Sequence, residues 1–134
     1  MKLRKETNRI IIHHSLSPRD RTTVEDLRKW HVDENGWEDI GYHFFVNGSG
    51  TMYNCRPLVY QGAHARGKNH DSIGVCLAGD FNKEVPSYKQ LKGLINVVNG
   101  LNMIFGVLPV CYHRETKDKC PGKYFQNMSV FSPF

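Results

Sequence analysis

The sequence has no apolar stretch long enough to cross a membrane. Its first residues, Met1-Lys2-Leu3-Arg4-Lys5-Glu6-Thr7-Asn8-Arg9, carry no long apolar segment behind them, so a signal peptide is not expected. The expectation is cytoplasmic synthesis with reduced thiols. There are four cysteines, Cys55, Cys76, Cys111 and Cys120, and no two form a C-x-x-C pair, which excludes a zinc ribbon and a thioredoxin-like motif. Internal repeats, low-complexity segments and linkers are absent. A long basic stripe interleaved with aromatics is absent too, so no nucleic-acid partner is expected, and no membrane partner either.

What is present suits one domain. A chain of 134 residues can bury a core without disulfides or a structural metal, and its 40% apolar content is ordinary for a globular protein. The formal charge of +5 favours an anionic partner or surface, such as nucleic acid, anionic lipid or an acidic wall polymer, though the basic residues are scattered. Residues 9–13 form an apolar run that reads as a buried strand ending at His13. Thr22-Thr23-Val24-Glu25 has the form of a capping box and predicts a helix start. Val24, Leu27, Trp30 and His31 give that helix one buried face, and Asn35-Gly36 ends it. Residues 42–46 and 51–55 read as two strands joined by the turn Asn47-Gly48-Ser49-Gly50. Residues 61–69 suit a loop, and 72–78 a central strand in which Cys76 is a buried thiol. Pro86-Ser87 opens a long helix with Tyr88, Leu91, Leu94, Ile95, Val98, Leu101 and Phe105 on one side. Residues 107–112 form a further strand, 113–122 a loop, and 123–134 a tail without assignment. The fold class is α/β: a single domain with a central mixed β-sheet flanked by α-helices.

Two clusters carry chemistry. Ile10-Ile11-Ile12-His13-His14-Ser15 ends a strand on paired histidines, and His113-Arg114-Glu115 follows another strand, with Lys119-Cys120-Pro121-Gly122 close behind. Strand ends can converge at one edge of an α/β sheet, and the loop after His113 can return Cys120 to the same point. Two imidazoles and a thiolate leave a zinc ion one open position, the pattern of catalytic rather than structural sites. His14 alternates to the opposite face of the strand, so His13 and His14 do not both bind one ion. His31, His43, His64 and His70 are left as substrate contacts or surface.

These residues sit within a wider ordered set: Arg28-Lys29-Trp30-His31, Gly36-Trp37-Glu38-Asp39-Ile40-Gly41-Tyr42-His43-Phe44, Gly62-Ala63-His64-Ala65-Arg66-Gly67-Lys68-Asn69 and Ser72-Ile73-Gly74-Val75-Cys76-Leu77. Across residues 10–122 the set resembles the zinc-dependent N-acetylmuramoyl-L-alanine amidases of the type-2 amidase and peptidoglycan-recognition-protein family, its small phage members in particular. The resemblance implies a zinc site at His13, His113 and Cys120, and a catalytic Tyr42 whose hydroxyl hydrogen-bonds the nucleophile or the tetrahedral intermediate. It also implies a substrate groove walled by residues 62–69, with His64 and Asn69 as glycopeptide contacts.

One departure stands out. The family has eight positions from the second histidine to the cysteine, with a Lys or Thr two before the cysteine; here the spacing is seven and Asp118 occupies that place. Lys119 and Lys117 are therefore both candidates for the catalytic cation. The expected activity is hydrolysis of the amide between N-acetylmuramic acid and L-alanine, by a phage or prophage endolysin acting on the wall after release, or by a cytoplasmic muropeptide-recycling enzyme. The alternatives are a non-catalytic peptidoglycan-recognition module and a regulator that contacts RNA polymerase: the resemblance to phage members implies polymerase inhibition, and the basic arm from Lys2 to Arg9 is available for protein contacts. A monomer is the default.

Overall fold

The computed structural model describes residues 1–131. Five strands form one sheet: β1 (Arg9–His14), β2 (Phe44–Val46), β3 (Met52–Asn54), β4 (Ser72–Leu77) and β5 (Val110–Tyr112), in the order β3-β2-β4-β1-β5. β1 pairs in parallel with both β4 and β5, β4 pairs in parallel with β2, and only the β2–β3 hairpin is antiparallel. The sheet is mixed and the helices lie on it, as the sequence predicts.

Alternation along the strands gives the two faces different jobs. Ile10 and Ile12 of β1 join Ile73, Val75 and Leu77 of β4 in a core roofed by α2 (Tyr88–Phe105). The opposite face holds Phe45, Cys76, Leu27 and Ile40 beneath α1 (Val24–Arg28). All six residues of β4 are buried, yet its two faces are unlike: large aliphatics toward α2, and Ser72, Gly74 and Cys76 toward the other side. That track of small residues leaves room for rings above it.

The helices depart from the sequence reading in phase. The cap of α1 is Thr23, whose hydroxyl accepts from Asp26 N while Asp26 accepts from Thr23 N; Thr22 instead turns inward and donates to Pro18 O at 2.7 Å. The α-helix then loosens into a π-helical turn, Lys29–Glu34, before Gly36 ends it at φ +74°. Ser87 caps α2 with Gln90 as its reciprocal partner. The buried side of α2 is Gln90, Leu94, Val97, Val98 and Leu101, while Tyr88 is 75% exposed and Ile95 and Phe105 are also exposed. The face is rotated because Gln90, polar by type, is fully buried with Nε2 donating to Ala78 O at 2.6 Å. β5 starts at Val110, and Val107 is exposed. In the unassigned tail a short helix α3 (Lys123–Gln126) buries Phe125; residues 132–134 lie outside the described residues.

Candidate metal centre

His13 is the penultimate residue of β1 and points to the α1 side of the sheet, 1% exposed. His113 directly follows β5, and its backbone N–H donates to Ile12 O at 3.3 Å, so the β1–β5 pairing extends to it. The chain then makes an exposed loop and returns: Arg114 N donates to Cys120 O at 2.8 Å and Cys120 N to Arg114 O at 3.0 Å. That bridge closes residues 115–119 into a loop and delivers Cys120 beside the strand ends. The ligand atoms of His13, His113 and Cys120 all lie within 4.8 Å of one another. No other group of three or more His, Cys, Asp or Glu that could hold an ion occurs among the described residues.

The donor set fits zinc. Borderline-soft Zn²⁺ takes imidazole nitrogen and thiolate sulfur in tetrahedral sites, and three protein ligands leave one place open. Burial pushes His13 well below the ordinary imidazole range, helped by His64, His113, His14 and Arg114. His113 is lowered by burial, then by Arg114, Lys68 and His14. Both rings are thus neutral and keep a lone pair. Burial pushes the Cys120 thiol up to about 11, against the pull of the His14 backbone N–H, 3.4 Å from Sγ, and of Arg114.

His14 faces the other way and does structural work. Its Nδ1 accepts from Phe81 N at 3.0 Å and Gly122 N at 3.2 Å, which ties the segment after Cys120 to β1. Gly122 is required there: a Cβ would meet Phe81 C at 2.1 Å and Asn82 N at 2.2 Å.

Tyr42 precedes β2, and its ring centroid lies 5.1 Å from that of His13. Burial, then Cys76 and Cys120, raise its hydroxyl well above the usual phenol value. The π-helical turn helps to place it. The His31 ring packs at a tilt against Trp37 and Tyr42, and His31 Nδ1 accepts from Gly41 N at 2.9 Å.

The other expected site residues fall differently. His64 is turned inward rather than onto a groove wall: its two ring nitrogens face His13 Nε2 at 2.8 Å and Ser72 Oγ at 3.2 Å, leaving no polar atom for a glycopeptide. Burial, then His43 and His113, lower it to about 3, so it is neutral. Asn69 spends its Oδ1 on the backbone N–H groups of His64 and Ala65, both at 2.9 Å. His43 is likewise internal, between Gly74 N and Tyr60 O, whereas His70 lies outside against Asp71. Lys117 is exposed on the loop and Lys119 is half-buried. Arg114 lowers His13 and His113 and pulls on Cys120, and Lys68 lowers His113; neither cation is singled out by the sequence. The roles of His64, Cys76 and Ser72 beside the site were also missed. For Ser72 and Cys76 the signal is the small-large alternation of Ser72-Ile73-Gly74-Val75-Cys76-Leu77; for His64 there is none.

Comparison with known proteins decides the family. The profile of the N-acetylmuramoyl-L-alanine amidases matches residues 3–123. The chain belongs to the N-acetylmuramoyl-L-alanine amidase family. It is 35% identical to the endolysin of Escherichia phage T7 over 129 residues, covering 90% of this chain and 83% of that protein. Among solved structures it is similar to the amidase LysC from Clostridium intestinale (TM-score 0.82, 30% identity, 93% of this chain and 83% of that one). It is also similar to the ectodomain complex of peptidoglycan recognition proteins LCa and LCx with bound tracheal cytotoxin (TM-score 0.83, 26% identity, 99% and 85% covered). This amidase therefore shares its fold with both cleaving and recognising relatives, and its enzyme class is that of the family.

Proposed function

We propose that the chain is a zinc-dependent peptidoglycan amidase of the endolysin kind, cutting between N-acetylmuramic acid and the L-alanine of the stem peptide. One observation carries the zinc part: the convergence of His13, His113 and Cys120, brought from two strand ends and a closed loop to within 4.8 Å. Those three residues would hold the ion. When bound, zinc lowers the pKa of a water toward 7 and polarises a carbonyl oxygen.

The chain's own groups supply the rest. Tyr42 offers a phenol that stays protonated, so its hydroxyl is a hydrogen-bond donor for an oxyanion growing beside His13. Lys119 or Lys117 would add positive charge. Lys119 starts from a fixed backbone, since its carbonyl accepts from Asn82 Nδ2 at 3.2 Å. Asn69 holds the loop that borders the site. The phage setting is supported by the identity to the T7 endolysin, and the net charge of +5 suits an anionic wall. No helix among the described residues is long and apolar enough to cross a membrane.

The test is release of new L-alanine amino termini from purified peptidoglycan by the zinc-loaded protein and by Cys120→Ala. Release by the first alone is the expected result. Stoichiometric zinc with no release by either protein would overturn the hydrolase reading and favour recognition without cleavage. A pull-down against RNA polymerase separates a regulator from a lysin.

A further inference from the structure

We infer that His64 is a positioning residue of the metal centre: through a one-way chain of hydrogen bonds it fixes the tautomer of His13, so that the Nδ1 lone pair faces Cys120. The inference deepens the zinc reading and rests on it only for what that lone pair is for.

The direction of the chain is set at its far end. Lys68 O is a backbone carbonyl and can only accept, and Ser72 Oγ lies 2.6 Å from it, so the serine hydroxyl donates there. With its single proton committed, Ser72 Oγ accepts from His64 Nε2 at 3.2 Å. A neutral imidazole carrying its proton on Nε2 has a bare Nδ1. That bare Nδ1 is 2.8 Å from His13 Nε2, so His13 must donate, and the proton of His13 is on Nε2. The remaining nitrogen, His13 Nδ1, is the one 3.9 Å from Cys120 Sγ. The opposite tautomer would point an N–H at the ligand cluster and leave two bare nitrogens facing each other.

The ring is also held mechanically. A Cβ at Gly62 would meet His64 Cδ2 at 2.5 Å, and one at Gly74 would meet Cγ at 2.6 Å, so both glycines make the slot in which the imidazole stands. Asn69 Oδ1 pins the backbone at His64 and Ala65. A partner that orients a ligating histidine through its second nitrogen typically changes metal affinity or activity ~10–100-fold when removed.

The experiment reads tautomers and metal affinity separately. Long-range ¹H–¹⁵N correlation spectra of the metal-free wild-type protein are expected to show both His13 and His64 protonated on Nε2. His64→Phe, with no acceptor for His13, is expected to weaken zinc binding ~10–100-fold in a chelator competition. His64→Gln, whose amide oxygen can accept from His13 Nε2, is expected to recover part of the loss. Cobalt-loaded His64→Phe should show a shifted d–d spectrum. His13 protonated on Nδ1 in the wild type, or wild-type zinc affinity in a folded His64→Phe, overturns the inference. A variant that does not fold leaves the wild-type spectrum to decide it. A wild-type protein that binds no zinc overturns the zinc reading instead, and the tautomer spectrum then still decides the hydrogen-bond chain.

Discussion

At the scale of single residues, the site is a set of neutral groups waiting for a charge. His13 and His113 are uncharged because burial disfavours the imidazolium, and Cys120 is held as a thiol by the same burial. A dication placed among them must expel the thiol proton. Zinc uptake at neutral pH is therefore expected to release about one proton per ion, measurable by titration calorimetry in buffers of different ionisation enthalpy, and affinity should rise with pH. Tyr42→Phe keeps the ring against His13 but deletes the donor. It is expected to lower kcat by about 10²–10³-fold while zinc content, read by elemental analysis, stays at the wild-type level. His13, His113 and Cys120 could be singled out as a donor set because two imidazoles and a thiol stand at strand ends and a returning loop, whereas Tyr42 reads as a core aromatic unless the surrounding motif is compared with the family. His64 was not legible. Its role depends on which neighbours lack a Cβ, and Gly62 and Gly74 reveal that only once the loop is folded onto β4.

At the scale of elements, polar residues in apolar positions set the phase. The apolar pattern of α2 puts Tyr88 and Ile95 on the inner side, but Gln90 takes that place because it both closes the helix cap and donates to Ala78 O at the end of β4. Periodicity counts apolar residues and does not see a buried amide satisfied at both ends. Gln90→Leu leaves the Ala78 carbonyl without its donor and opens the cap, and is expected to cost about 1–3 kcal/mol in urea denaturation. Similarly, Thr23 rather than Thr22 caps α1, since Thr22 is drawn to Pro18 O. Gly122→Ala forces a Cβ into the Phe81–Asn82 backbone and is expected to destabilise by about 1–3 kcal/mol. Because Gly122 N also anchors on His14, that change should loosen zinc as well as lower Tm.

At the scale of the whole molecule, buried neutral histidines make stability depend on pH, His43 and His64 among them. Burial holds His43 at about 4 and His64 at about 3, whereas the unfolded chain titrates near the ordinary value of about 6.5. Between those limits the unfolded state binds more protons at these two positions, so their contribution to stability falls as pH falls from about 7 toward 3. Thermal melts of the metal-free protein across that range are the check, and His43→Gln should flatten part of the slope. The sheet order was beyond sequence reasoning, since nothing local says that β4 inserts between β1 and β2. The class of fold was within it, because short apolar runs bounded by turn residues mark the strands and a capped periodic stretch marks the long helix.

The bridge between Arg114 and Cys120 gives the metal centre an independence that its chain spacing conceals. Both ends of the loop are clamped, one to β1 through His113 and the other through the backbone pair and Gly122, while residues 115–118 are exposed. Loop length is therefore decoupled from the placing of Cys120 beside His13 and His113. The same decoupling makes the exposed Glu115 and Thr116, ahead of Lys117, the natural attachment point for a fluorophore or an affinity handle: a reporter grafted there would ride beside the candidate site without bearing on the strands that hold it.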